Sequence, residues 1–166
     1  IVLRVVSEHT AIEFIDFETI MLLLGMMSIV AILRKSGFFS IVSVRIAELT
    51  QGSPLKILIL FSIVTAVLSA FLDNVPTVLI MVPIVIELTL GMGLDPKIYV
   101  VALAMASNLG GTATLVGDPP NIIIGSKVGL TFNQFAGYLF LPVALSTAGV
   151  IAYFWAARRQ SLRSID

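Results

Sequence analysis

The sequence predicts an all-α integral membrane protein with transmembrane helices, a re-entrant helical hairpin and a discontinuous helix. Of its 166 residues, 58% are hydrophobic and 12% charged, against roughly 25% charged in soluble domains. The mean hydropathy is +1.06, and clusters of Asp, Asn, Gly and Pro interrupt two of the apolar segments. This composition excludes an ordinary soluble enzyme, and the zero net charge provides no basic surface for nucleic acid.

Two segments, residues 15–34 and 135–157, are predicted to be ordinary transmembrane helices. Each provides about the 20 apolar residues that a helix needs to cross the hydrocarbon core. The first ends at Arg34 and Lys35, as expected where a helix leaves the membrane. Residues 38–51 are amphipathic and are predicted to form an interfacial segment on the cytoplasmic face.

Residues 55–90 form two apolar legs around the polar sequence Asp-Asn-Val-Pro-Thr at 73–77. The first leg has about eighteen residues, or roughly 27 Å of helix, and the second is shorter. Because no loop of normal length separates the legs, two arrangements are consistent with them. Either two helices cross the membrane and turn at the far interface, or a re-entrant hairpin enters and returns on the same side.

Residues 98–126 are predicted to form one broken transmembrane helix. The first part, 98–106, is apolar, but the stretch from Ser107 to Asn121 contains three Gly, two Pro and several Ser, Thr and Asn residues. Such a stretch does not continue a regular helix, so we expect the first half to end at Ala106. Because apolar residues resume immediately afterwards, the unwound backbone must line a cavity or be buried in protein.

The positive charges orient the chain as a multi-pass protein of the plasma (inner) membrane. If the first helix runs inward, eight basic residues are cytoplasmic and only Arg4 and Lys127 are external, which agrees with the positive-inside rule. The chain begins at Ile1 without an initiating Met, and we expect it to be a piece of a longer protein. The eight cytoplasmic residues are Arg34, Lys35, Arg45, Lys56, Lys97, Arg158, Arg159 and Arg163.

Two polar breaks in apolar segments are typical of the substrate site of a secondary transporter. Helix starts leave free N–H groups that suit anions, whereas free carbonyls and carboxylates suit cations. Pro76 and the pair Pro119 and Pro120 fit the first turns of new helices, and Asn74 and Asp118 are predicted to cap them. The helix-break residues are therefore Pro76, Gly117, Pro119 and Pro120.

Asp73 and Asp118 are the residues most costly to place in a membrane, at about 2.5–3.5 kcal/mol each. Such carboxylates usually handle ions or protons; alternatively, Asp118 only caps a helix and Asp73 lies in an interfacial turn. With no Cys, and a single His at His9 outside the membrane, an intramembrane enzyme has few groups to use. The candidate substrate- or ion-binding residues are Asp73, Asn74, Thr77, Ser107, Asn108, Gly110, Gly111, Thr112, Thr114, Asp118 and Asn121.

Two motifs resemble those of a known transporter group. The first is Ser-Ala-Phe-Leu-Asp-Asn-Val-Pro-Thr-Val at 69–78, with Met-Val-Pro-Ile at 81–84. The second is Ser-Asn-Leu-Gly-Gly-Thr-Ala-Thr at 107–114, with Gly-Asp-Pro-Pro-Asn at 117–121. Both resemble the arsenite-permease and melanosomal P-protein group of the ion-transporter superfamily, which has a citrate transporter-like domain.

The resemblance implies an architecture of two inverted repeats, each with a re-entrant hairpin and a broken helix, in a homodimer whose transport domain moves against a scaffold. This chain resembles the first repeat, one half of an inverted-repeat transporter, and we expect the missing second repeat to belong to the same protein. The resemblance favours the re-entrant hairpin over two full spans. In sodium-coupled relatives the hairpin tip and the broken-helix loop bind sodium, and the counterparts here are Asp73, Asn74, Gly110, Gly111 and Thr112.

The chain also departs from the dicarboxylate carriers of that superfamily, which have Ser-Asn-Thr at the hairpin tip and Thr at the position of Asp118. Two added carboxylates raise the cost of binding an anion and provide groups that can carry protons. The predicted function is a permease that moves an inorganic or small organic anion or arsenite by alternating access, with sodium or a proton as coupling ion and no other cofactor. The alternatives are a sodium/proton antiporter and, less favoured, a non-transporting membrane subunit.

Overall fold

The computed structural model describes residue 15 and residues 17–163, which form seven α-helices and, within this part, no strand. The predictions for Arg4 and His9 fall outside the described residues, as do those for the side chains of Arg158, Arg159 and Arg163. The helices are α1 Phe17–Lys35, α2 Phe38–Thr50, α3 Pro54–Leu72, α4 Asn74–Gly91, α5 Lys97–Thr112, α6 Pro119–Val128 and α7 Phe132–Arg163.

Among the described residues, three helices are long and apolar enough to cross a membrane: α3, α4 and the part of α7 at Phe132–Ala156. A fourth candidate combines Ile20–Lys35 of α1 with α2, which is bent from it by 59°. The bend occurs at Gly37, which has a left-handed backbone with φ 76°. These helices confirm the all-α membrane fold class. The re-entrant hairpin predicted for α3 and α4 stays a prediction, because each of these helices is also long and apolar enough to be a full membrane span.

Helices α3 and α5 run parallel and form the centre of the packed core. At one end the Tyr99 hydroxyl donates a hydrogen bond to the Pro54 carbonyl, at 3.2 Å. At the other end Gly110 lies directly against the Ala66 backbone, where a Cβ atom would collide with the carbonyl. The absence of a side chain at Gly110 therefore allows the two helix axes to approach closely. The fully buried apolar side chains around this pair are Ile57, Leu58, Phe61, Met81, Val85, Tyr99 and Leu103.

The outer helices α1 and α7 expose many large apolar side chains, which a water-soluble fold of this size does not do. In a membrane protein such side chains face lipid or further parts of the protein. The most exposed ones on these two helices include Phe17, Met21, Met27, Ile32, Tyr138, Phe140, Leu141, Leu145 and Tyr153.

Candidate functional site

The hairpin tip consists of one residue, Asp73, between the end of α3 and the start of α4. Its backbone has φ 70° and ψ 149°, a region that residues other than glycine occupy only under strain. Its carboxylate accepts a hydrogen bond from the Val75 N–H at 3.3 Å, and the Thr77 hydroxyl donates to the Asp73 carbonyl at 2.7 Å. Asp73 is thus the N-cap of α4. The predicted cap Asn74 is wrong, because Asn74 is already the first residue of the helix.

The second break is shorter than predicted. Helix α5 continues to Thr112, so the expected end at Ala106 is wrong, and only residues 113–118 leave the helical conformation. The glycines near the end of α5 remain helical because Gly110 packs against α3, where a larger side chain has no room. Helix α6 then begins with Pro119 and Pro120 at its first two positions, as predicted.

Residues 113–118 fold into a tight loop that Asn121 closes. The Asn121 side-chain amide donates to the carbonyls of Gly111, at 3.1 Å, and Thr114, at 2.9 Å. The Thr114 hydroxyl donates to the Ala70 carbonyl of α3 and accepts from the Gly117 N–H at 3.2 Å. These bonds tie the loop both to itself and to the end of α3 beside the hairpin tip.

The structure brings the two breaks together around Asn74. The Asn74 side-chain amide donates to the carboxamide oxygen of Asn108, at 3.2 Å, and lies 3.5 Å from a carboxylate oxygen of Asp118. The Asn74 carbonyl lies 3.0 Å from the Ser107 hydroxyl. The first residue of α4, directly after the hairpin tip, therefore contacts both the last turns of α5 and the start of α6.

The polar residues where the two breaks meet, Asp73, Asn74, Ser107, Asn108 and Asp118, form a cluster. Ser69 belongs to this cluster as well, although it was not among the predicted site residues. Its hydroxyl donates to the Ser107 carbonyl at 2.7 Å, and the two serine hydroxyls are 3.1 Å apart. Both side chains are fully buried. A single serine in an apolar helix gives no local signal of such a contact, and only its place in the hairpin motif indicated it.

The cluster contains two carboxylates that interact electrostatically, those of Asp73 and Asp118. Asp118 occupies the N-cap position of α6 as predicted, but its side chain makes no capping hydrogen bond and is directed to Asn74 instead. Asp73 is 9% exposed. In the part of the chain that the structure describes, neither aspartate forms an ion pair, so the negative charge of the cluster is not neutralised by a basic side chain.

The remaining predicted residues lie at the edge of this cluster. The Thr112 hydroxyl donates to the Asn108 carbonyl of its own helix, at 2.8 Å, in an exposed position. Gly111 packs against Gly117, where a Cβ atom would lie 2.7 Å from the carbonyl oxygen. Pro76 lies in the first turn of α4. The described side chains contain no group of three or more His, Cys, Asp or Glu residues placed to hold a metal ion.

The hairpin tip lies opposite the middle of α1. A small crevice beside Asp73 and Pro76 is lined on its other side by α1, whose residues there are Leu23, Met26, Met27 and Val30. Helix α1 extends from Phe17 to Lys35, so Asp73 is level with its centre and not with either end.

Comparison with known proteins identifies relatives along nearly the whole chain. An uncharacterized transporter of Mycobacterium tuberculosis is 42% identical over 156 residues, which are 92% of this chain and 36% of that protein. A second uncharacterized transporter of that species is 50% identical over 142 residues, 84% of this chain and 33% of that protein. The P protein of Homo sapiens is 43% identical over 139 residues, 81% of this chain and 17% of that protein.

No solved structure matches the chain. The chain spans little more than a third of the first of these mycobacterial relatives. Residues 1–165 match the family described as Citrate transporter. The resemblance found in the two motifs is therefore confirmed, and the chain belongs to the citrate transporter family.

Proposed function

We propose that this chain is part of a secondary active transporter of the plasma (inner) membrane, in which the two breaks form half of the site for a coupling cation and a small solute. The observation that supports it most is the meeting of the hairpin tip and the α5–α6 break around Asn74. Family and relatives are named for transport rather than for an enzyme activity. Secondary transporters typically form their substrate and coupling-ion sites from discontinuous helices of this kind.

The charge of the cluster favours a cation as its first ligand. Asp73 and Asp118 repel each other, and an added proton or sodium ion relieves the repulsion. The side-chain oxygen of Asn108 and the carbonyls near the end of α5 are additional oxygen ligands for sodium. The proposed sodium set is Asp73, Asn74, Gly110, Gly111 and Thr112, and the proton alternative places the added charge on one of the two aspartates.

The depth of the hairpin tip in the membrane, as judged from its position beside α1, supports a re-entrant hairpin. If α1 crosses the membrane, the residues opposite Asp73 lie near the bilayer centre, because they are in the middle of α1. A hairpin whose tip reaches only that depth does not cross. Polar backbone at this depth is stable only when it is buried in protein or lines a cavity, and the contacts of Asn74 provide the protein surroundings.

The solute is an inorganic or small organic anion or arsenite. An anion near Asp73 and Asp118 is repelled until a cation or proton neutralises them, so the coupling ion binds first and transport depends on its gradient. The family description names citrate, which fits this order only when the carboxylates are neutralised. The other half of the site comes from a second repeat, and the whole protein is a homodimer.

The test uses full-length protein reconstituted in liposomes and the variant Asp73→Asn. We expect solute flux to fall at least tenfold and to lose its dependence on the proton or sodium gradient. Glu87→Gln is the matched control, because Glu87 is an exposed carboxylate on the same hairpin, away from the cluster. Undiminished Asp73→Asn flux that responds to pH as the wild type does would refute the proposal.

A sodium/proton antiporter is the second candidate, and the pair of carboxylates favours it. Such a protein exchanges the two cations at the same groups and needs no anion. Vesicles containing a pH-sensitive dye distinguish the two functions. Proton movement driven by added sodium without any anion supports the antiporter, whereas movement that requires the anion supports the solute transporter.

A further inference from the structure

Two groups of buried hydroxyls in the helices differ in their hydrogen bonds. Those of Ser43, Thr77 and Thr89 donate to the carbonyl four residues earlier in the chain, each at 2.7 Å. Those of Ser62 and Thr65 are fully buried and have no hydrogen-bond partner among the described residues. The two unpartnered hydroxyls are in the same helix, α3, one turn apart.

Ser62 and Thr65 share the face of α3 that is turned toward α5. Positions 62, 65 and 69 follow the spacing of one helix face, and Ser69 contacts Ser107 of α5. Ala66, on the same side, contacts Gly110. The face thus carries a line of three hydroxyls that ends at the cluster around Asn74.

No polar side chain of α5 forms a hydrogen bond with the hydroxyl of Ser62 or Thr65. The buried residues in this part of α5 are Ala102, Leu103 and Ala106, which offer neither donor nor acceptor side chains. An unpartnered buried hydroxyl costs about 1–3 kcal/mol, and alanine or valine would avoid that cost. A hydroxyl that is free both to donate and to accept is suited to a buried water, which typically makes about three hydrogen bonds.

We propose that Ser62 and Thr65 bind water molecules and that these waters, with the hydroxyls of Ser69 and Ser107, form a proton path along α3 to the aspartates. Along the path each oxygen accepts a proton from one neighbour and donates its own to the next. For this the Ser69 hydroxyl turns from the Ser107 carbonyl to the Ser107 hydroxyl, 3.1 Å away. The Ser107 hydroxyl turns from the Asn74 carbonyl to a further water that contacts a carboxylate. For each proton taken up at the first water, one proton is delivered to a carboxylate oxygen of Asp73 or Asp118 at the other end of the path. This inference rests on the proposed function, in the form in which the coupling ion is a proton.

The experiment measures proton movement, with a pH-sensitive dye, in liposomes that contain the full-length protein. Thr65→Val keeps the shape of the side chain and removes the hydroxyl. We expect proton movement to fall at least fivefold, with an unchanged or higher unfolding temperature. Thr65→Ser restores the hydroxyl and restores movement. Thr89→Val is the matched control, because its buried hydroxyl already bonds its own helix, and it keeps the wild-type rate.

Ser62→Ala repeats the test with a smaller change of volume, in case Thr65→Val does not fold. Wild-type proton movement in either folded variant would overturn the path while leaving the proposed transport function intact. Solute flux in the wild type that depends on sodium and not on protons would also overturn it, and the Asp73→Asn experiment still decides the proposed function separately.

A structure of the full-length protein that resolves waters gives an independent measurement. We expect ordered water within hydrogen-bond distance of the hydroxyls of Ser62 and Thr65. Hydroxyls turned back to the carbonyls of Leu58 and Phe61, with no water beside them, would overturn the inference.

Discussion

The two polar breaks differ in what maintains their conformation. The hairpin tip is a single residue, Asp73, and its hydrogen bonds go to Val75 and Thr77, within four residues along the chain. The α5–α6 break spans residues 113–118 and is closed by Asn121, whose amide bonds two carbonyls across the loop. The tip is therefore held by hydrogen bonds within four residues, whereas the loop is also tied to α3 by the bond from the Thr114 hydroxyl to the Ala70 carbonyl, 44 residues away in sequence.

Because of this difference, substitutions at the tip and in the second break should affect different properties of the protein. A substitution at the tip alters the charge and the local cap but leaves the contacts of α3 with α5 in place. A substitution in the second break removes contacts that hold two helices and a loop together. We therefore expect the largest effects on folding near the second break, and the largest effects on cation dependence at Asp73.

The largest expected effect on folding is that of Gly110→Ala. A Cβ atom at this position would collide with the Ala66 backbone, which a helix cannot move aside as a flexible side chain would. We expect full-length protein with this change to yield almost no monodisperse material by size-exclusion chromatography. Gly137→Ala in α7 is the control, because nothing lies within 4 Å of its added Cβ. Equal yields from the two variants would contradict the parallel contact of α3 and α5.

Asn121→Ala is expected to have the next largest effect. It removes both hydrogen bonds that close the loop and leaves the carbonyls of Gly111 and Thr114 without these donors. The loss is about 2 kcal/mol, since each bond contributes roughly 1 kcal/mol. Thermal unfolding in detergent measures it. Asn121→Asp, which keeps the size but cannot donate, should lose as much; a milder effect of Asp would show that the side chain acts by packing.

Asp73→Gly, unlike the preceding two substitutions, is expected to leave the protein as stable as the wild type or to stabilise it. Glycine relieves backbone strain of about 1–3 kcal/mol but loses the cap, which contributes about 1 kcal/mol. The variant should therefore unfold at the same or a higher temperature than the wild type, while cation-dependent flux disappears. Asp73→Ala loses the cap and keeps the strain, so it should be less stable than Asp73→Gly. The reverse order of these two variants would show that the tip does not adopt this backbone conformation.

The positions of both breaks could be predicted from the sequence because Pro and Asp act locally. Pro119 and Pro120 occupy the first turn of α6 as predicted, since their missing N–H groups cost nothing there. The end of α5 was wrong by a turn and a half, because glycine propensity is overridden at Gly110 by packing against α3. That contact joins residues far apart in sequence, and no local pattern encodes it.

The residues of the cluster were predicted only in part. The motifs and the resemblance selected Asn74, Asn108 and Asp118, which the structure places within hydrogen-bond distance of one another through Asn74. The cap of α4 was assigned one residue late, because no residue pattern indicated that Asp73, which is not a glycine, has a positive φ of 70° and lies outside both helices. That the Ser62 hydroxyl has no hydrogen-bond partner among the described residues could not be predicted, since a serine in an apolar helix usually bonds its own backbone.

The smallest effect is expected where the second break meets solvent. Thr112→Val removes an exposed hydrogen bond within one helix, and the change in unfolding free energy should stay within about 0.5 kcal/mol. Thr114→Val, only two residues away, removes a buried hydroxyl that joins α3 to the loop and should cost about 2 kcal/mol. Thermal unfolding of the two variants compares the same chemical change at an exposed and a buried site. Because only the buried hydroxyl bridges two elements, equal losses would mean that the break is held locally, as the tip is.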